Sequence, residues 1–199
     1  MIDLPPITLD EAIARYDGLL FDAYGVLVHG VGPLPGAVAA IDRLNRAGTT
    51  YFVVTNDASK LPETAARRYA RFGLKIPAER IITSGVLLDA YFAEHGLAGA
   101  RCAVMGPPDS EEYVRRAGGH VVPTGEPFDV LVVGDESGFP FLETADVLLG
   151  TLYRLLDAGR RVHLVLPNPD LIYPTLDGFG FAAGSIAAMF EGALRLRYP

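Results

Sequence analysis

Two polar side chains close two apolar segments that the sequence predicts to be strands. Asp22 follows the apolar run 18–21, and Thr55 ends the β-branched and aromatic run 49–55. The carboxyl ends of neighbouring strands in an open parallel sheet form the edge at which ligands bind, so we expect the two residues to lie side by side there. A carboxylate nucleophile beside a hydroxyl that can hold an anion is the minimum needed for covalent hydrolysis through an aspartyl ester.

The predicted elements around these residues alternate between strand and helix. Strands at 19–22, 49–55 and 81–84 are separated by helices at 35–47 and 62–72. This β-α-β-α-β order implies a parallel sheet whose crossovers are right-handed. A second, smaller alternation follows, with elements predicted at 85–95 (helix), 101–106 (strand), 110–117 (helix), 130–133 (strand), 142–157 (helix), 162–166 (strand) and 184–197 (helix).

We therefore predict an α/β fold made of two modules. A Rossmann-like parallel-sheet core is expected to comprise residues 1–84 plus 180–199, and a second α/β module of residues 85–179 is inserted after the third strand. The glycine-rich segment 178–184 lacks the Gly-Lys-Ser/Thr of a phosphate-binding loop. We interpret that segment as a hinge that leads back into the core.

The composition excludes several function classes. The net charge is −7 and the only lysines are Lys60 and Lys75, which argues against a nucleic-acid-binding surface. No apolar run approaches the roughly 18 residues needed to span a bilayer, and the first six residues show no signal peptide. The single cysteine, Cys102, is interpreted as a buried strand residue. We expect a cytoplasmic protein with neither a nucleic-acid nor a membrane partner.

Four motifs occur in an order that resembles one known superfamily. They are Asp22-Ala23-Tyr24-Gly25 after an apolar strand, Val53-Val54-Thr55-Asn56, Ile82-Thr83-Ser84, and the run from Asn168-Pro169-Asp170 to Thr175. Together they resemble the haloacid dehalogenase superfamily, in the branch of p-nitrophenyl and phosphoglycolate phosphatases (subfamily IIA). That branch carries a C2-type α/β cap after its third core strand. The resemblance covers essentially the whole chain.

The resemblance implies a Mg²⁺-dependent phosphatase of small phosphorylated metabolites. The nucleophile would be Asp22, with Thr55 and Asn56 as phosphate binders. The magnesium ion would sit on the Asp22 carboxylate and the Tyr24 carbonyl, because that ion prefers oxygen ligands. Backbone N–H groups of Ala23 and Tyr24 would also point at the phosphate.

One position departs from the pattern of the phosphatases. Their second aspartate, which protonates the leaving oxygen and then activates water, is replaced here by Tyr24. A phenol can donate a proton but is a poor general base at neutral pH. Dehalogenases of the superfamily share Asp-Ala-Tyr-Gly, although they place their cap between the first two motifs. Two alternatives therefore stay open: a metal-independent dehalogenase, and a catalytically inactive binding or scaffold module.

The third and fourth family motifs are not found in this sequence. Both a lysine that neutralises the site and an acidic pair that supplies the third protein ligand to the metal should follow the helix ending near Arg197. Gly134-Asp135-Glu136 imitates the acidic motif but is interpreted as a turn of the cap. Lys60 is interpreted as a solvated residue at a helix start. We expect the sequence to be part of a longer protein.

The remaining candidates are weaker. His29 follows the nucleophile turn and could touch substrate, and Asn168 and Asp170 could lie where cap meets core, although Asn-Pro is also a plain turn signal. The cap segment around Asp109 and Ser110 is expected to determine the substrate. A homodimer through the cap is possible on the family pattern. The other three histidines show no metal-ligand spacing and are interpreted as structural or surface residues.

Overall fold

The computed structural model describes residues 6–175 and 177–198. Met1–Pro5, which contribute to the prediction that there is no signal peptide, and Pro199 lie outside the described residues. The chain divides into two compact units, one of Met1–Thr55 with Pro62–Ile82, and one of Asn56–Leu61 with Thr83–Pro199. No helix of the described residues is long and apolar enough to cross a membrane.

The first module has a small parallel sheet covered by helices. Its sheet order is β1-β4-β5, and β1 and β4 run parallel with Asp22 opposite Val54. Residues Ile41, Leu44 and Tyr51 are fully buried in its core. Its elements are α1 (Leu9–Arg15), β1 (Leu19–Asp22), β2 (Val28–His29), β3 (Gly32–Pro33), α2 (Ala37–Ala47), β4 (Tyr51–Thr55), α3 (Pro62–Arg71) and β5 (Ile81–Thr83).

The two faces of this sheet differ in exposure. Leu19 and Phe21 pack against the apolar core, whereas Leu20 is 72% exposed. Successive strand residues point to opposite faces, so Asp22 shares the face of Leu20. The carboxylate at the end of β1 therefore lies on the side away from the helix-covered core.

The second module is built on a four-stranded sheet in the order β7-β6-β8-β9 with all pairs parallel. All four residues of its strand β8 are buried. A parallel sheet covered on both faces favours such a continuous apolar run. The module's elements are α4 (Leu87–Glu94), β6 (Arg101–Met105), α5 (Pro108–Arg116), β7 (His120–Val121), β8 (Val130–Val133), α6 (Phe141–Asp157), β9 (His163–Val165), β10 (Ile172–Thr175), β11 (Gly178–Phe181) and α7 (Ala183–Leu194).

Packing places the last helix in the second module. Ile186 and Phe190 of α7 share one apolar cluster with Leu131 of β8 and Leu148 of α6. We expected residues 180–199 to return to the core module, and this packing differs from that expectation. The periodicity of a helix shows that it has an apolar face, but it does not show which sheet that face covers. The predicted domain boundaries, with a core of residues 1–84 plus 180–199 and an inserted module of residues 85–179, stay a prediction.

Segment 178–184, which the sequence analysis interpreted as a hinge, contains a strand. Gly178–Phe181 forms strand β11, which pairs antiparallel with β10 and sets Gly180 opposite Tyr173. A Cβ on Gly180 would lie 2.6 Å from the Tyr173 ring, so the glycine makes room for that aromatic side chain. The sequence analysis did not predict this strand because glycine alternates with phenylalanine in it, and glycine is depleted in strands.

Cys102 lies fully buried on β6, and this confirms the interpretation of that residue. Burial raises the pKa of its thiol to about 11. The thiolate is the reactive form of cysteine, so this side chain is inert at neutral pH.

Candidate active site

Asp22 and Thr55 end neighbouring parallel strands. Asp22 lies opposite Val54 in the β1–β4 pairing, which puts Thr55 one residue beyond that pair at the same end of the sheet. The Asp22 side chain is exposed, and its Oδ1 accepts a hydrogen bond from the Ala23 N–H at 2.7 Å. Thr55 is buried. The two residues from which the sequence argument began therefore end neighbouring strands at the same edge of the sheet.

A tight turn follows the nucleophile candidate. The Ala23 carbonyl accepts hydrogen bonds from the Leu27 and Val28 N–H groups, both at 2.9 Å, and the Gly25 N–H donates to the Val28 carbonyl. Gly25 has φ +81°, a left-handed conformation that favours glycine. The chain then forms the hairpin β2–β3, which the sequence analysis missed because each strand has only two residues.

Tyr24 is tied to helix α3. Its phenol oxygen accepts a hydrogen bond from Nη1 of Arg68, and the guanidinium carbon lies 5.6 Å from the centre of the Tyr24 ring. Arg68 also donates from Nη2 to the Gly30 carbonyl at 3.1 Å. The spacing of basic residues on α3 gave no sign of this contact, since it depends on where the turn after β1 folds.

His29 lies at the end of β2 and is partly buried. Its Nδ1 accepts a hydrogen bond from the Val31 N–H at 3.4 Å. A backbone donor at Nδ1 favours the tautomer that carries its proton on Nε2. His29 therefore has a local structural role in the hairpin, and its contact with substrate stays a prediction.

Three candidates from distant parts of the sequence meet in the second module. The Asn56 side-chain amide donates to Oδ2 of Asp170 at 3.1 Å, and Oδ1 of Asn168 accepts the Asp170 N–H at 3.0 Å. Ser84 Oγ donates to the Asn56 carbonyl at 2.7 Å. The structure therefore brings Asn56, Asn168 and Asp170 together, although their roles toward a substrate are untested.

The segment after Thr55, residues 56–61, is held by three side chains of α5. Asp109 Oδ2 accepts the Leu61 N–H at 2.9 Å, Ser110 Oγ donates to the Ala58 carbonyl at 3.3 Å, and Tyr113 Oη donates to the Lys60 carbonyl at 2.7 Å. Asp109 and Ser110, which we expected to determine the substrate, thus anchor the backbone of this segment. A loop–helix contact across about 50 residues leaves no local pattern in the sequence.

The sequence analysis interpreted Lys60 as a solvated residue, and the structure shows that this interpretation is wrong. Its Nζ forms an ion pair with Oδ2 of Asp57 at 3.0 Å and donates to Ser59 Oγ at 2.6 Å. Its side chain is 29% exposed and that of Asp57 only 14%. Helix α3 begins two residues later, at Pro62. The positive charge is therefore used locally, within segment 56–61.

Glu136 follows β8 in an irregular segment, in agreement with the turn predicted for Gly134-Asp135-Glu136. Burial, a hydrogen bond with Asp135 and the charges of Asp135 and Asp57 together raise the pKa of Glu136 to about 8. Unfolded glutamate titrates near 4.5. The folded chain therefore holds an extra proton between these values, and the free energy of unfolding falls as the pH rises from about 4.5 to about 8.

Replacing Glu136 with glutamine should remove this pH dependence. We expect Glu136→Gln to stabilise the protein at pH 8 by about 1 kcal/mol, a value reduced for the partial exposure of the side chain, or by about 2–4 °C in Tm. At pH 5 the change should be small. Thermal melts at both pH values check this, with exposed Glu94 of α4 as the control position. An equal shift of Tm at pH 5 and pH 8 would contradict the assignment.

The two predicted magnesium ligands are of the chemical type that this ion prefers. The Asp22 carboxylate and the Tyr24 carbonyl are both oxygen donors, which Mg²⁺ prefers. Within residues 6–175 and 177–198, no group of three His, Cys, Asp or Glu side chains is placed to hold a metal ion. A complete magnesium site would need oxygens beyond these two, so the site stays a prediction.

Comparisons with known proteins agree on one family. A family model described as haloacid dehalogenase-like hydrolase matches residues 19–120. Chronophin from Mus musculus is 30% identical over 198 residues, which cover 93% of this chain and 64% of chronophin. Dihydroxyacetone phosphatase from Corynebacterium glutamicum (strain R) is 28% identical over 174 residues, covering 87% of this chain and 60% of that enzyme.

A solved structure extends the match to the fold. The crystal structure of a possible sugar phosphatase of the HAD superfamily from Cytophaga hutchinsonii has a TM-score of 0.80 and 29% sequence identity. The match covers 96% of this chain and 69% of that one. The chain spans 60–64% of the length of the two curated relatives above.

Proposed function

Because this chain belongs to the haloacid dehalogenase-like hydrolase family, we propose that it removes phosphoryl groups from small phosphorylated metabolites through an aspartyl-phosphate intermediate. The observation that supports the proposal is the pairing of β1 with β4, which sets Asp22 and Thr55 at the same end of the sheet. The phosphatases among its relatives give the reaction class. The family resemblance found in the sequence is thereby confirmed.

In this proposal Asp22 is the nucleophile. The Ala23 N–H holds Oδ1, and Oδ2 can present its lone pairs to phosphorus. The Thr55 hydroxyl and backbone N–H groups of the turn would hold the phosphoryl oxygens, since fixed donors aimed at developing charge provide the largest stabilisation of such transition states. A bound Mg²⁺ would supply positive charge that offsets the negative charge of the nucleophile and the phosphoryl group.

The remaining roles follow the resemblance. Asn56 would bind phosphate, and His29, Asn168 and Asp170 would contact the substrate. We also propose a cytoplasmic location, which the single buried thiol of Cys102 supports, because reduced cysteine is typical of that compartment. A homodimer through the second module is part of the same proposal.

A second candidate is dehalogenation, and the contact between Tyr24 and Arg68 favours it. Halide leaves without a proton, so a dehalogenase has no need of a free acid at position 24. The nucleophilic attack by Asp22 would be the same, but on carbon in place of phosphorus.

Metal dependence separates the candidates. The protein as its gene encodes it should release phosphate from a panel of small phosphate esters with Mg²⁺, and chelation by EDTA should abolish the release. Release of halide from 2-haloalkanoates that persists in EDTA would favour the dehalogenase. If neither product forms, the chain is a binding or scaffold module and the proposed function is wrong.

A further inference from the structure

The phenol of Tyr113 joins two parts of the chain that contact the segment beginning at Asn56. Its Oη donates to the Lys60 carbonyl at 2.7 Å and lies 2.5 Å from Oγ1 of Thr83. Because the proton of the phenol is used in the bond to the carbonyl, the Thr83 hydroxyl is the donor in the second bond. Tyr113 is 4% exposed and Thr83 is 1% exposed, so water does not compete for either bond.

The ring of Tyr113 fits closely against the backbone just after β5. A Cβ on Gly85 would lie 2.5 Å from this ring, so the glycine lets the ring approach the residues that end the strand. From this position one oxygen atom reaches both the Thr83 hydroxyl and the Lys60 carbonyl. A phenylalanine at position 113 would fill the same space without making either bond.

Asn56 is held at its backbone and at its side chain. Ser84 Oγ donates to the Asn56 carbonyl at 2.7 Å. The Asn56 side-chain amide donates to Oδ2 of Asp170 at 3.1 Å. An asparagine amide has two N–H donors, so one can serve a phosphoryl oxygen while Asp170 holds the other. The two contacts together set the direction in which the second N–H points.

Both ends of a short stretch of backbone are held by two consecutive residues at the end of β5. Ser84 binds the first residue of the stretch, Asn56, directly. Thr83 binds the last, Lys60, through the phenol of Tyr113. Only three residues separate the two attachment points, so a displacement at Lys60 is transmitted to Asn56.

We propose that Tyr113 is a positioning residue of the phosphate-binding site, which holds the backbone at Lys60 so that the Asn56 amide meets the phosphoryl group. This inference rests on the proposed function, in which Asn56 binds phosphate. A small displacement of a group that positions the substrate can cost up to about 10²-fold in rate, even when the substitution lies away from the chemistry. Tyr113 acts through Lys60 and Asn56 and is not itself a catalytic residue.

Steady-state kinetics of Tyr113→Phe, on the protein as its gene encodes it and with Mg²⁺ supplied, test the proposal. We expect the KM for p-nitrophenyl phosphate to rise by about 10-fold, the factor that a hydrogen bond to a charged group contributes to binding. The inhibition constant of inorganic phosphate should rise equally. The kcat should change little, because Asn56 holds the phosphoryl group in the ground state and in the transition state alike. A fall in kcat at unchanged KM would show a merely structural role and overturn the inference.

Tyr153→Phe is the matched control. The Tyr153 phenol also donates to a backbone carbonyl of the second module, that of Ala193, at 2.6 Å. The substitution therefore removes the same group and the same type of hydrogen bond, here between α6 and the last turn of α7. We expect a lower Tm with unchanged KM and an unchanged inhibition constant of phosphate. Equal rises in KM for Tyr113→Phe and Tyr153→Phe would overturn the inference.

A second measurement follows Asn56 without any need for turnover. In ¹H–¹⁵N spectra the Asn56 side-chain amide resonances should shift in Tyr113→Phe and stay in place in Tyr153→Phe. Thr83→Val removes the hydroxyl that binds the phenol at nearly constant size, so it should shift the same resonances even if Tyr113→Phe does not fold. Unchanged Asn56 resonances would overturn the inference. If the shifts occur but the natural protein releases no phosphate, the proposed function is wrong and the hold of Tyr113 on Asn56 is confirmed.

Discussion

Asp22→Asn should lower phosphate release by at least about 10⁴-fold, because an amide of the same shape cannot attack phosphorus. The fold should be unaffected. Asp22 is exposed, and the hydrogen bond that its carboxylate accepts from the Ala23 N–H can be kept by the amide oxygen of asparagine. Steady-state release from p-nitrophenyl phosphate, together with a thermal melt, measures both expectations.

Asp17→Asn is the matched control for this experiment. Asp17 is an exposed aspartate just before β1, so the substitution removes the same charge from the same module away from the strand end. We expect unchanged turnover in Asp17→Asn. Unchanged turnover in Asp22→Asn would mean that the catalytic carboxylate is elsewhere.

Gly184→Ala should destabilise the second module by about 2–4 kcal/mol, which corresponds to a loss of about 5–15 °C in Tm. A Cβ at this position would lie 2.4 Å from the Pro169 carbonyl oxygen and 2.6 Å from that of Asp170. The Gly184 N–H also donates to the Asp170 carbonyl at 2.9 Å, so the backbone cannot move away without loss of this bond. Denaturant unfolding measures the effect.

Gly192 provides the control in the same helix. It is exposed on α7 and a Cβ there would meet nothing within 4 Å. Gly192→Ala should therefore stabilise the protein, by up to about 1 kcal/mol, through helix propensity alone. Equal effects of the two substitutions would show that the close approach of Pro169 and Asp170 to Gly184 carries no energetic weight.

The sequence could predict the elements that bury a regular apolar pattern. The bounds of β1 and β8 agree with the prediction, and those of α2, β4 and α6 agree within two residues. The placement of Asp22 and Thr55 followed from the rule that parallel strands end at one edge. The signal was strong there because hydrophobic periodicity and the α/β alternation point to the same topology.

What could not be predicted depends on long-range contacts or on very short strands. The hairpin β2–β3 has two residues in each strand, too few for an alternating pattern. The role of Tyr24 was predicted from its place two residues after Asp22. The position of its side chain, however, depends on a hydrogen bond with Arg68, which is 44 residues away. Likewise, the ion pair of Lys60 with Asp57 reflects the fold of segment 56–61 and not the helix that follows.

The three hydrogen bonds from α5 to segment 56–61 have a consequence for amide exchange. By its backbone this segment is a loop, and loops ordinarily exchange their amide hydrogens through local fluctuations. The Leu61 amide, however, is bound to Asp109, and the carbonyls of Ala58 and Lys60 are bound to Ser110 and Tyr113. Solvent deuterium therefore reaches the Leu61 amide only when the second module opens around α5, so a loop amide reports on the stability of a helix.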